Sequence, residues 1–129
     1  MRRRGALRAA IVACALAASG GAAWAFSASF SWKGIPACSG TSPAFSLKSV
    51  PSGTVRLRFS MIDTNAPNYQ HGGSTVAYGG KGSVPQGAIN YIGPCPPAGE
   101  AHLYSWTIEA LDAGGKVLGS TRAQGSFTR

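Results

Sequence analysis

The chain has 129 residues with a formal net charge of +8 and three cysteines. This length fits one small core and excludes a second catalytic domain with a cleft between the two. The basic residues are scattered, without the clusters and interleaved aromatic residues that nucleic-acid binding needs, so we expect no nucleic-acid partner.

The N-terminal segment has the three parts of a secretory signal peptide. A start rich in arginine (residues 2–8) precedes an apolar run (residues 9–18) and the small-residue sequence Ala23-Trp24-Ala25. We therefore expect a signal peptide at residues 1–25, a mature domain at residues 26–129 and a periplasmic or secreted protein. The apolar run is shorter than the roughly 20 residues of a membrane helix, so we expect no transmembrane segment after cleavage. An uncleaved anchor and a lipoprotein acylated at Cys14 are the less favoured alternatives.

Removal of this segment also changes the charge. Four of the twelve basic residues lie in residues 1–25, so the mature domain has 12 − 4 = 8 basic residues against four acidic ones, a net charge of +4. Such a surface is typical of a soluble protein with a mild preference for anions.

Alternation of apolar and polar residues is the dominant pattern of the mature domain. It predicts three clear strands, at residues 26–32, 55–61 and 103–111, and three shorter ones, at 45–50, 74–78 and 117–125. Turn signals rich in glycine, proline and asparagine separate them, and no window shows a sustained helical period. We therefore predict an all-β fold, a small antiparallel β-sandwich of about six to eight short strands.

The connection between the last two predicted strands is short. It contains Gly114-Gly115, which is typical of a tight hairpin and leaves no room for a helix.

Two cysteines, Cys38 and Cys95, remain after removal of the signal peptide. In an oxidising compartment they predict one disulfide, which would stabilise the fold by roughly 4 kcal/mol in the chain-entropy model. A zinc site that also used His71 and His102 is the alternative, but neither cysteine belongs to a Cys-x-x-Cys pair. We therefore expect no bound metal.

Four polar residues are candidates for a binding site. Asp63 ends a strong strand, where it can either accept hydrogen bonds from the following loop or face a pocket. His71 precedes two glycines and is either an exposed loop residue or part of a pocket. His102 and Tyr104 follow a stiff loop (residues 93–99) and are two residues apart, so on a strand they share one face.

Several segments, taken in order, resemble the bacterial branch of the phosphatidylethanolamine-binding proteins, also called Raf-kinase-inhibitor-like proteins. They are residues 42–45 (Ser-Pro-Ala-Phe), 50–54, 63–67, His71, 93–97 and 102–104. The resemblance covers nearly all of residues 30–127 and implies a β-sandwich with a small pocket that takes phosphate or related anions. Carried over residue by residue, it implies a ligand-binding pocket made of Asp63, His71, Pro94, His102 and Tyr104.

The sequence departs from the family pattern at several positions. Thr64 and Asn65 stand where the family has proline and a second aspartate, and Leu103 stands where it has an arginine. Glycines at residues 72–73 replace bulky apolar residues. The hairpin at residues 114–115 stands where relatives carry a helix beside the pocket, so we expect that helix to be shortened or absent.

These observations favour an exported binding protein without a cofactor or an enzymatic activity. The expected ligand is a small anion or a phospholipid headgroup, and the expected role of Asp63 is to orient a histidine as a cation. The resemblance also allows a protein partner, which the domain would bind as an inhibitor. A hydrolase is less favoured because the sequence has no Gly-x-Ser-x-Gly motif, and a metal-dependent one would have only two histidines and Asp63 as ligands.

Overall fold

The structure is a computed structural model that describes residues 25–129. The predicted signal peptide, apart from its last residue, lies outside the described residues. Seven strands form: β1 (Ser27–Phe30), β2 (Phe45–Lys48), β3 (Arg56–Asp63), β4 (Thr75–Ala77), β5 (Ser83–Val84), β6 (Ala101–Leu111) and β7 (Val117–Thr128). None of residues 25–129 is helical, which confirms the all-β prediction. Within this range, therefore, no helix is long and apolar enough to cross a membrane.

The strands form two antiparallel sheets. One has three strands in the order β1-β2-β5, and the other has four in the order β4-β3-β6-β7. β3 shows why these residues form a sheet with one buried face: Leu57, Phe59 and Met61 are buried, while Arg58 and Ser60 between them face solvent. The apolar residues of the alternating sequence pattern therefore lie on the buried face of the larger sheet, and the polar residues lie on its exposed face.

Aromatic side chains join the two sheets. Trp106 of β6 is fully buried, and its ring centroid lies 5.3 Å from that of Phe45 in the other sheet, 6.1 Å from Phe59 and 5.0 Å from Tyr91. Large rings dominate the apolar area that a core of this size removes from water. The indole Nε1 of Trp106 has no hydrogen-bond partner among the described residues, which costs free energy, so the burial of the apolar ring surface must offset that cost.

Some strand boundaries differ from the prediction. β6 begins at Ala101 and β7 ends at Thr128 because these two residues pair with each other, which extends the ladder beyond the alternating patterns. β5 was not predicted. It pairs with β2 over only two residues, and so short a strand carries no periodic signal.

The hairpin between β6 and β7 is tight, as predicted. One carboxylate oxygen of Asp112 accepts hydrogen bonds from the amides of Gly114 (3.0 Å) and Lys116 (2.8 Å). The described residues have no helix at this end of β6, as expected, but the turn does not lie beside the predicted pocket: His102 and Tyr104 are at the opposite end of the strand.

The predicted disulfide between Cys38 and Cys95 is present and links residues 57 positions apart. The same two segments are also joined by a hydrogen bond from the amide of Cys38 to the carbonyl of Pro94, at 2.8 Å. Because both sulfurs are in the disulfide, neither cysteine is available as a zinc ligand.

Gly93 allows the segments that carry Cys38 and Cys95 to approach each other closely, because it has no side chain. A Cβ atom added to it would lie 1.6 Å from the carbonyl oxygen of Ser39, and the disulfide at the neighbouring Cys38 limits any movement of that carbonyl. We expect Gly93→Ala to lower the free energy of unfolding by about 1–3 kcal/mol in urea denaturation, in the range of other overpacked sites.

Gly79→Ala is the matched control, since nothing lies within 4 Å of a Cβ added there. We expect it to leave the free energy of unfolding unchanged or to raise it by up to about 1 kcal/mol. Equal stability of the two variants would contradict the packing argument.

Candidate functional site

A cavity of about 430 Å³ lies where β3 ends and β6 begins. Its lining combines an acidic residue, two histidines, two tyrosines, one disulfide-bonded cysteine and small apolar residues: Asp63, Ala66, Tyr69, His71, Cys95, Pro97, His102 and Tyr104. Four of the five residues predicted for the pocket are therefore brought together here. The fifth, Pro94, is fully buried beside the cavity and does not line it.

Asp63 links the loop to the strand. It is the last residue of β3, it is 4% exposed, and it pairs across the sheet with Tyr104. Its Oδ1 accepts a hydrogen bond from the amide of Asn65 at 2.8 Å, and its Oδ2 accepts one from Nδ1 of His102 at 2.6 Å. The carboxylate therefore closes the turn and orients a histidine at the same time.

The charges of this pair stabilise each other. Burial would raise the pKa of Asp63, but the hydrogen bonds from His102 and from the Asn65 amide outweigh it and lower that pKa. The hydrogen bond to Asp63 raises the pKa of His102, with a smaller contribution from Glu100, whose carboxylate lies 3.3 Å from Nε2. His102 is therefore a cation over a wider pH range than a free histidine.

His71 is held in a different way. It is 4% exposed, its Nδ1 lies 2.7 Å from the carbonyl oxygen of Ile92, and the amide of Ile92 donates to the carbonyl of His71. A carbonyl only accepts, so Nδ1 carries the proton. The rings of Tyr69 (4.7 Å) and Tyr104 (5.5 Å) fix the plane of the imidazole, which leaves Nε2 for a ligand in the cavity.

Tyr104 supplies a neutral donor. The residue is 1% exposed, and burial together with the negative charge of Asp63 raises the pKa of its phenol to about 12. The hydroxyl therefore stays protonated throughout the neutral range and can donate a hydrogen bond to a ligand.

The residues that differ from the family pattern hold the loop in place. Both the amide and the hydroxyl of Thr64 donate to the carbonyl of Leu103, each at 2.8 Å. The side-chain oxygen of Asn65 accepts from the amide of Leu103 at 2.9 Å. The side chains of Thr64 and Asn65 therefore bind the backbone of Leu103 and attach the loop to β6.

Sequence reasoning missed four lining residues and one neighbour: Ala66, Tyr69, Cys95, Pro97 and Glu100. Spacing could have indicated two of them, because Tyr69 and Glu100 each precede a predicted histidine by two residues, the interval that puts side chains on one side of an extended chain. The others depend on how the loops pack, which carries no local signal.

A second cleft, of about 310 Å³, lies on the outer face of the four-stranded sheet beside Arg58 and Glu109. These two side chains form an ion pair at 2.9 Å and so satisfy each other. This cleft contains neither histidine, and the chemistry of the molecule is concentrated in the first cavity.

The sequence profile described as phosphatidylethanolamine-binding protein matches residues 21–127 of the chain. The chain belongs to the phosphatidylethanolamine-binding protein family. No curated protein matches it.

Two solved structures of this family have a similar fold. One is E. coli YbcL, described as a new member of the mammalian family, with 18% identity, a TM-score of 0.50 and coverage of 70% of this chain and 81% of that one. The other is the putative family homologue CT736 from Chlamydia trachomatis, with 19% identity, a TM-score of 0.57 and coverage of 84% and 94%. At these identities the likeness concerns the fold alone.

The ion pair of Asp63 and His102 predicts a characteristic pH dependence of stability. The pKa of His102 is raised from 6.5 on folding, so its contribution is complete below that value and is lost as the pH rises through the folded pKa. The pKa of Asp63 is lowered from 3.8, so its contribution is complete above that value and is lost as the pH falls.

We therefore expect the difference in unfolding free energy between the native protein and His102→Gln to be largest between about pH 4 and 6.5. It should shrink on either side when measured by urea denaturation across the pH range. Tyr91→Phe is the control, because its hydroxyl donates to the carbonyl of Thr41 and is uncharged over this pH range. A difference for His102→Gln that does not change with pH would show that the pair contributes no ionic stabilisation.

Proposed function

We propose that this protein is an exported binding protein that holds the phosphate-bearing headgroup of a small ligand in the cavity at the end of β3 and β6. The observation that carries the proposal is the convergence on one cavity of a cationic ring (His102), a hydroxyl (Tyr104) and a hydrogen-bond acceptor (Nε2 of His71). Hydrogen bonds from a cationic ring to phosphate oxygens are among the stronger polar contacts in proteins.

The charges around the cavity favour a zwitterionic headgroup over a bare anion. No lysine or arginine is among the described residues that line it. His102, when protonated, balances Asp63, and the nearby carboxylate of Glu100 leaves a net negative charge. An ammonium group would be attracted to the two carboxylates, to the ring of Tyr69 and to the lone pair on Nε2 of His71, while the phosphate faces Tyr104 and the cationic ring of His102.

Binding without turnover fits the chemistry of the lining. The residues that line the cavity in the described part of the chain include no serine and no free thiol to act as a nucleophile. The name of the family model, phosphatidylethanolamine-binding protein, supports a ligand of the same class.

Export is supported by two independent features. The basic and apolar N-terminal sequence is typical of a signal peptide, and a disulfide persists in oxidising compartments.

A protein partner is the second candidate, because two large apolar side chains are exposed beside the cavity. Tyr69 is 54% exposed and Ile92 is 51% exposed, and both contact His71. A partner that covered them would close the cavity, and exposed apolar groups around a polar cleft are typical of such contacts.

Tyr104→Phe tests the ligand proposal, because it removes one donor and keeps the ring. We expect phosphoethanolamine to shift the ring resonances of both histidines in NMR titrations and to bind about tenfold more weakly to this variant, as expected for a lost hydrogen bond to a charged group. Inorganic phosphate should bind more weakly than phosphoethanolamine, because it lacks the ammonium group.

Tyr91→Phe is the matched control. Burial raises the pKa of Tyr91 to about 12 as well, but its hydroxyl donates to the carbonyl of Thr41 and does not line the cavity. We expect unchanged affinity in this variant. Equal weakening in both variants, or no shift at millimolar phosphoethanolamine, would reject the headgroup proposal and favour a protein partner.

A further inference from the structure

One of the two residues of the disulfide lines the cavity. Cys95 lines the cavity, whereas Cys38 does not, and both residues are exposed to solvent. Disulfides that serve only stability are commonly inaccessible, and exposed ones are the labile or regulatory ones. This bond is therefore placed where a small molecule in the cavity can reach it.

The arrangement suits attack on one particular sulfur. In thiol–disulfide exchange the incoming thiolate approaches one sulfur in line with the bond, and the other sulfur leaves. Because Cys95 lines the cavity and Cys38 does not, a thiolate that enters the cavity meets Cys95 first, and Cys38 is then the leaving group. Cys38 also has a φ of 57°, in the left-handed region that residues other than glycine avoid, and breaking the bond would allow it to relax.

The charges of the cavity select the thiol. The carboxylates of Asp63 and Glu100 lie on either side of the imidazole of His102, so the cavity disfavours a thiol with a carboxylate group and attracts one with an ammonium group.

We propose that Cys95 is a thiol-exchange site for small thiols that carry an ammonium group. The thiolate sulfur forms a bond with Sγ of Cys95, the bond between Cys95 and Cys38 breaks, and Cys38 leaves as a thiolate that takes a proton from solvent. One disulfide replaces another, so no further oxidant or reductant is needed. The freed Cys38 can attack the mixed disulfide and restore the original bond.

This exchange would control the binding site. The substituent carried by Cys95 occupies the cavity, so the mixed disulfide and a bound headgroup exclude each other. Only this consequence rests on the proposed function, since the exchange itself depends on the cavity and the disulfide alone.

The test uses the whole protein and cysteamine, a small thiol with an ammonium group. After incubation, free thiols are trapped with N-ethylmaleimide and the modified cysteines are mapped by mass spectrometry. We expect cysteamine on Cys95 and maleimide on Cys38, in at least about tenfold excess over the opposite arrangement. Thioglycolate, which carries a carboxylate, should react more slowly than cysteamine. To correct for intrinsic reactivity, each rate is first divided by the rate of the same thiol with a small reference disulfide.

Ala66→Phe should fill the cavity from the loop after β3 and slow exchange at Cys95 by about tenfold. Ala77→Phe is the matched control, because Ala77 lies on the exposed edge strand β4 and should leave the rate unchanged. Predominant modification of Cys38, an unmodified disulfide or faster reaction with thioglycolate would overturn the proposal, and the mapping on the native protein decides this even if Ala66→Phe does not fold.

Phosphoethanolamine separates this proposal from the previous one. If it slows exchange at Cys95, both proposals are supported. If exchange occurs at Cys95 at the same rate in the presence of millimolar phosphoethanolamine, the thiol site stands and the headgroup proposal for this cavity fails.

Discussion

The antiparallel pairing of β3 with β6 is the constraint on which both the core and the candidate site depend. It places Met61 opposite Trp106 and Asp63 opposite Tyr104 in consecutive pairs on the same face of the sheet. A shift of one residue would turn the buried face of either strand to solvent, so the burial of Trp106 holds the register. The position of Asp63 in the cavity is therefore a consequence of how the aromatic core packs.

The polar side chains of the site form hydrogen bonds mainly with one another and with the backbone, so few of their donors are free for a ligand. Asp63 is satisfied by Asn65 and His102, and His71 uses one ring nitrogen on the backbone of Ile92. Each side chain is thereby fixed before a ligand arrives, which lowers the entropic cost of binding. The same arrangement leaves few donors and an excess of negative charge, which is the basis for proposing a ligand that carries both signs.

The departures from the family pattern lie at the two ends of β6. Thr64 and Asn65 bind the backbone of Leu103, so the loop after β3 is held to the start of β6, beside the cavity, by neutral hydrogen bonds. The tight turn held by Asp112 closes the β6–β7 hairpin at the opposite end of the strand and therefore does not affect access to the cavity.

The sequence by itself determined the fold class, the strongest strands, the disulfide and four of the residues that line the cavity. These features depend on local signals: period-two alternation in β3 and β6, two remaining cysteines, and the interval of two residues between His102 and Tyr104. Only the tertiary structure decided that Asp63 orients His102 rather than His71, that Pro94 is buried and that Cys95 faces the cavity. Those contacts join residues about 30 to 60 positions apart through strand register and loop packing, and no local pattern encodes the path of a loop across the end of a sheet.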